Sequence, residues 1–390
     1  MKTCATMFSG FEGFGIGAKA AGCRHLWGIE YSTDIAAVAE QNGFRSIVAD
    51  VRNVDFAVLE RPSHLHASPV CKNASVANVN GEESDQDIET AEAVCRAIEI
   101  LKPDTFSLEN VSGYREFKSF YLITSCLYAC GYFYESRVLN AADFGVPQTR
   151  KRLILLARRD GRSLKFPPPT HAPRNRLLPM FETRLPWVGW YEAIADIVGE
   201  LPDSAFTPWQ LKRMPREILQ TVSVDSSGYI SDDGGEIVMR AADEPINTIV
   251  ANHMRRPMRA ILIGGGNTSD MQAAEGVGVS DAYEPTRVVS ATNAENWRAF
   301  IVDGRNVRSN GAPTFRYSDD PMITIVSSAS RGIARALLPM GRIVRMTPRA
   351  LARFQSFPDS YQLPSRMRLA CEGIGNAVPS LMAQRIMEAL

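Results

Sequence analysis

Phe8-Ser9-Gly10-Phe11-Glu12-Gly13-Phe14-Gly15-Ile16-Gly17 joins a short apolar run, Cys4 to Phe8, to a helical pattern spanning Ile16 to Ala21. Glycines at 10, 13, 15 and 17 let the backbone approach a ligand closely at the carboxyl edge of a sheet. Their spacing, G-x-x-G-x-G-x-G, differs from the G-x-G-x-x-G turn that cradles a pyrophosphate. Glu30 closes the second apolar run, Leu26 to Ile29, where an acid grips a ribose hydroxyl. Asp50 closes the third, Ile47 to Ala49. Taken singly, each acid reads more simply as a helix cap or a solvated carboxylate. The turn and both acids in register favour an adenosyl ligand without a pyrophosphate, namely S-adenosylmethionine.

Outward from this turn, apolar runs alternate with helical patterns. Further strands are expected at Leu65 to Ala67, Thr105 to Leu108, Phe133 to Leu139 and Leu153 to Ala157. Helices are expected at Asp34 to Gln41, Ile88 to Leu101 and Phe117 to Ala129. This rhythm predicts an α/β, doubly wound, mostly parallel sheet. After Pro167-Pro168-Pro169 the periodicity fades and Gly, Pro and Ser become frequent. Asp243 to Val250 and Asp319 to Val326 resemble one another, two copies being too few for a solenoid. Order returns at Thr347-Pro348, a cap followed by proline at the first helical position, and again in a helix over Pro379 to Leu390.

A chain of 390 residues that is 45% hydrophobic can bury a large core. No apolar run spans a bilayer and the amino terminus does not read as a signal peptide, so a cytoplasmic protein is expected. The seven cysteines are scattered, with no C-x-x-C pair, and Cys126 and Cys130 read as core packing, so no metal is expected. Basic and acidic residues balance at 43 each. Their distribution is uneven: nine Lys or Arg and one acid lie from Arg150 to Arg176, and six arginines with no acid from Arg331 to Arg353. Two such stretches suggest a shared surface for an anion. Gly81 to Glu89 is acidic instead, with Glu82, Glu83, Asp85, Asp87 and Glu89.

Ser68-Pro69-Val70-Cys71-Lys72-Asn73 follows the fourth strand, which puts a thiol over the ligand edge. Leu108-Glu109-Asn110-Val111 ends the fifth, and Gln148-Thr149-Arg150-Lys151-Arg152 opens the seventh. Cysteine, carboxylate and arginine suit one reaction. Carbon 5 of cytosine is too weak a nucleophile to attack a methyl sulfonium. A thiolate added at carbon 6 makes the ring an enamine, helped by an acid at N3 and an arginine at O2.

With Arg342 to Asp359 and Gly375-Asn376-Ala377-Val378-Pro379, six such motifs stand in one order, and the chain resembles bacterial-type DNA (cytosine-5)-methyltransferases over nearly its full length. The resemblance implies a Rossmann-like S-adenosylmethionine methyltransferase sheet. It implies a catalytic and cofactor-binding domain over 1–164, a smaller, irregular, mostly β target-recognition domain over 165–335, and a return segment over 336–390. It makes Cys71 the nucleophile, Glu109 the N3 partner, and Arg150 and Arg152 contacts to a flipped-out cytosine in double-stranded DNA. Phe8, Gly10, Gly13, Glu30, Tyr31, Asp50, Val51, Pro69, Asn376 and Val378 would hold S-adenosylmethionine. A monomer in a restriction-modification or orphan role is expected. Val70 and Lys72 depart from the family's Pro-Cys-Gln, and the acidic run falls in the loop expected to meet DNA. An inactive DNA-binding relative and an RNA cytosine methyltransferase are the alternatives; the Cys-Phe-Thr tripeptide of the RNA enzymes is absent.

Overall fold

The computed structural model describes residues 1–69, 83–173, 183–204 and 343–390, together with short strands between 228 and 337. Val70, Cys71 and Lys72 lie outside the described residues, as do Asp243 to Val250 and most of the expected recognition region.

Seven strands form the main sheet: β1 (Thr3–Met7), β2 (Arg24–Glu30), β3 (Ser46–Val48), β4 (His64–Ala67), β5 (Thr105–Asn110), β6 (Phe133–Asn140) and, after a two-residue β7 (Gln148–Thr149), β8 (Lys151–Arg158). Their order is β3-β2-β1-β4-β5-β8-β6. The first five run parallel, while β8 is antiparallel to both of its neighbours. Strand order reverses between β1 and β4, the crevice where open α/β sheets bind ligands. Because β8 runs backwards, its first residues lie beside the last of β5, with Leu153 opposite Asn110. That reversal is what brings Arg152 to the carboxyl edge.

Helices α1 (Gly13–Ala20), α2 (Thr33–Gln41), α3 (Asp85–Leu101) and α4 (Lys118–Ala129) cover the sheet. The chain returns through α5 (Pro348–Phe354), α6 (Met367–Asn376) and α7 (Ser380–Ala389). Thr347 caps α5, its hydroxyl accepting from the amide of Ala350. Helix α6 was not expected from the sequence. Its glycines Gly373 and Gly375 argue against a helix by propensity, yet a side chain at Gly373 would meet the Phe11 ring at 2.2 Å. Packing against the cofactor turn overrides propensity here.

The glycine turn itself needs correcting. Gly13, Gly15 and Gly17 belong to α1, and the space beside each is taken by other parts of the protein. A Cβ at Gly13 would lie 2.2 Å from the Val378 carbonyl oxygen, and one at Gly17 2.2 Å from that of Ser380. These glycines seat α7 on α1, joining the two ends of the chain. Gly10, with φ +55°, has open space around it.

The described part of the acidic run is held by the fold. Ser84 and Asp87 form a reciprocal capping box at the start of α3. The Glu83 carboxylate accepts from the amides of Lys118 and Ser119 at 2.8 Å, capping α4. Glu89 pairs with Arg52 at 2.6 Å. Acids at helix amino termini complement the macrodipole, so Glu83 and Asp87 have roles within the fold; Gly81 and Glu82 lie outside the described residues.

β4 carries His64 and His66 on one face, both buried, stacked on Phe14 with centroids 5.6 and 3.6 Å away. They hydrogen-bond Thr105 and Ser107 on β5. Burial pushes His64 down to about 3 and His66 well below its ordinary value. The folded chain therefore binds fewer protons than the unfolded one, whose histidines titrate near 6.5. Stability is complete above that pH and falls as pH drops below it. At pH 5 His64 alone costs about 2 kcal/mol, and His66 adds to the loss in the same direction. The urea midpoint should fall markedly between pH 7 and pH 5, and His64→Gln should flatten the dependence. A midpoint that does not move would refute this.

Candidate active site

The turn after β1 is built from three left-handed residues in five. Phe8, Gly10 and Glu12 have φ of 59°, 55° and 56°. The coil is held by Ser9 N–H donating to the Ile29 carbonyl at 2.9 Å and Glu12 N–H to that of Ser9 at 2.8 Å. It delivers the Gly10 amide to Glu30 Oε2 at 3.0 Å, while the Ser32 amide reaches Oε1 at 2.9 Å. Burial raises the Glu30 carboxyl against these lowering hydrogen bonds. Each carboxylate oxygen keeps a lone pair for a further donor.

Tyr31 is 76% exposed beside it, its ring free to stack. Asp50 caps the turn Val51–Asn53 and forks onto Arg52, whose guanidinium holds the carboxyl below its usual range. Val51 is packed in the core. Pro69 lies at the end of β4, Val378 packs on α1, and Asn376 is exposed at the end of α6. An open cradle at Gly10, a half-buried acid with spare acceptors and an exposed aromatic ring fit an adenosine-bearing cofactor.

Farther along the same edge, Glu109 Oε1 and Arg152 Nε form a 3.0 Å ion pair, the side chains 7% and 15% exposed. Burial lowers the Arg152 guanidinium, and Glu109 opposes that shift. Next to Glu109, the Asn110 side-chain amide donates to the Pro69 carbonyl at 3.0 Å, tying β5 to the strand end that leads to Cys71. Arg150 is buried and donates to the Gly375 carbonyl at 2.9 Å. Burial, with help from Arg152, pushes it down to about 9. Gln355 likewise donates to the Ile374 carbonyl at 2.9 Å.

The edge thus brings together Glu109, Arg152 and Pro69, with Glu30 and Gly10 further along, and turns Arg150 toward the return segment. Asn110 and Gln355 position this edge as well, and neither residue type signals by itself which carbonyl it will reach.

The basic stretches are also partly spent within the protein. Arg158 pairs with Asp160 at 2.6 Å, Arg353 with Asp196 and with Asp359, and Arg349 donates to the Tyr361 carbonyl. Lys151, Arg159, Arg162 and Lys165 are exposed. Among the described residues, Glu99, Cys126 and Cys130 bring potential metal-binding atoms within 4.8 Å of one another. Hydrogen bonding to Cys95 and burial raise the Cys126 thiol, and burial raises that of Cys130. Both shifts run against the thiolate form that binds metal. No described helix is long and apolar enough to cross a membrane.

Comparison with known proteins identifies the family. The family model described as C-5 cytosine-specific DNA methylase matches residues 2–390. The type II methyltransferase M1.HphI of Haemophilus parahaemolyticus is 24% identical, the match covering 100% of this chain and 86% of that protein. M.AgeI of Thalassovita gelatinovora, also a type II methyltransferase, is 24% identical over 100% of this chain and 99% of its own. The fold matches that of the Entamoeba histolytica methyltransferase EhMeth with TM-score 0.55 at 11% identity, covering 100% and 97% of the two chains. The chain belongs to the C-5 cytosine-specific DNA methylases and transfers the methyl group of S-adenosylmethionine to carbon 5 of cytosine in DNA.

Proposed function

We propose that Cys71 is the nucleophile of this transfer, that Glu109 and Arg152 bind the cytosine ring, and that Arg150 braces the site from behind. The observation that carries this reading is the buried Glu109–Arg152 pair at 3.0 Å, on the edge where Asn110 holds the Pro69 carbonyl two residues before Cys71. The Cys71 thiolate adds to carbon 6 of the cytosine, and the displaced electron pair is delivered to carbon 5. Glu109 hydrogen-bonds N3 and Arg152 the O2 carbonyl, stabilising charge that develops as the bond forms. The cofactor supplies a methyl group on a sulfonium, an electrophile for carbon 5. Loss of the carbon-5 proton and expulsion of the thiolate then restore the aromatic ring. Arg150 also donates to the Gly375 carbonyl and so couples this strand end to the return segment.

Phe8, Gly10, Glu30, Tyr31, Asp50, Val51, Pro69, Asn376 and Val378 line the cofactor side, with Gly13 seating α7 behind it. A stacked base cannot be reached by a thiolate, so the target cytosine must leave the double helix. Residues 165–335 read the target in double-stranded DNA, and residues 336–390 complete the catalytic domain. The protein acts as a metal-free monomer in the cytoplasm of a bacterium or phage-infected cell, as the modification partner of a restriction nuclease, in line with its type II relatives.

A duplex carrying 5-fluorocytosine tests the mechanism, since fluorine cannot leave as the proton does. In the presence of cofactor it should trap a denaturation-resistant complex that maps to Cys71. Intact binding to such DNA without any covalent complex would overturn the reading.

A further inference from the structure

Glu12 stands out because nothing in the transfer mechanism calls for it. Its side chain is fully buried, and Oε1 accepts from the Thr6 hydroxyl at 2.7 Å and engages His25 Nε2 at 3.1 Å. The space it occupies is made by missing side chains. A Cβ at Gly28 would lie 1.9 Å from Oε1, and one at Gly15 2.3 Å from Oε2. Gly28 sits mid-strand in β2, where glycine weakens a strand and marks a close approach. Here the approaching group is the Glu12 carboxylate.

A buried carboxylate is a poor way to stabilise a fold, because a well-packed apolar residue of similar size does as well or better. What it specifies is conformation. Glu12 is itself left-handed at φ 56°, a region disfavoured for a side chain of this kind. Its amide closes the turn onto the Ser9 carbonyl, and the Tyr361 hydroxyl donates to the Phe11 carbonyl at 2.9 Å inside the same turn. With the Glu12 carboxylate pinned to β1 through Thr6 and to β2 through His25, the turn has one way to lie. That geometry points the Gly10 amide at Glu30 and leaves Gly10 open.

We infer that Glu12 is a positioning residue for cofactor binding, its buried carboxylate clamping the Phe8–Glu12 turn so that Gly10 and Glu30 present a preformed cradle for S-adenosylmethionine. The inference rests on the cofactor corner assigned above. It predicts a split between binding and turnover that a purely structural residue would not give.

Isothermal titration with S-adenosylhomocysteine and steady-state transfer assays on Glu12→Leu and Glu12→Gln test it. Leucine fills the space without an acceptor. It should raise the dissociation constant and the KM for S-adenosylmethionine by about tenfold or more, with kcat at saturation within about twofold and the thermal midpoint retained. Glutamine keeps an oxygen for Thr6 and His25 and should bind within about threefold of the parent chain. Equal binding by the leucine variant, or equal loss in both variants, would overturn the inference. If Glu12→Leu fails to fold, Thr6→Val removes one donor instead, and an unchanged KM there would overturn it as well. A parent chain that bound no S-adenosylhomocysteine would sink the underlying cofactor assignment, a result distinct from any of these.

Discussion

Cys71→Ala is expected to leave no measurable methyl transfer while DNA and cofactor binding persist. The reason lies in the substrate. Without a thiolate at carbon 6, carbon 5 has too little electron density to take a methyl group, and no neighbouring side chain substitutes for a covalent bond to the ring. Losing the nucleophile of a covalent mechanism should lower kcat by at least about 10⁴-fold, some 5 kcal/mol of barrier or more. Cys71→Ser should be almost as inactive, because an alcohol at neutral pH is scarcely ionised and needs a base of its own. Incorporation of labelled methyl into duplex DNA, beside a gel-shift measurement on the same preparation, separates chemistry from binding. Transfer by the alanine variant within tenfold of the parent would end the case for this cysteine.

Glu109→Gln should be the next most damaging change. The amide occupies the same space and its oxygen can still accept from Arg152, so the buried guanidinium keeps a partner and the fold should hold. What is lost is a carboxyl able to share a proton with N3 as electrons move into the ring. Removing one group of this kind costs about 10² to 10⁴ in rate. The loss should fall on kcat, with KM for S-adenosylmethionine unchanged, because Glu30 and Gly10 are untouched. Arg152→Ala should be worse for stability, since it leaves the Glu109 carboxylate buried and unpaired. A Glu109→Gln enzyme that turns over like the parent would show that the ring nitrogen is served by another group.

Much of the site could be read from strand-end positions. In a parallel sheet every loop after a strand opens on one edge, so Gly10, Glu30 and Asp50 could be placed there before any coordinates. Local chemistry was legible too: Thr347-Pro348 starts a helix because cap and proline are both near-neighbour effects. What packs around each residue was not legible. Gly13, Gly15 and Gly17 look like a ligand-binding turn in the chain, yet they clear space for Val378, Glu12 and Ser380. Glu83 and Asp87 look like a charged loop and are helix caps. Which carbonyl the buried Arg150 reaches, that of Gly375, could not be read from the chain either.

By itself the sequence determined the alternating architecture, the cofactor edge and the residue types that act there, because periodicity and strand-end position depend on neighbours along the chain. Only the tertiary structure decided how each group is used. The antiparallel turn of β8 sets Arg152 against Glu109, and the return of residues 343–390 brings α7 onto the glycines of α1. Both depend on contacts between segments far apart in the chain, where the partner of a buried polar group is chosen by three-dimensional proximity and the need to satisfy every hydrogen bond away from water.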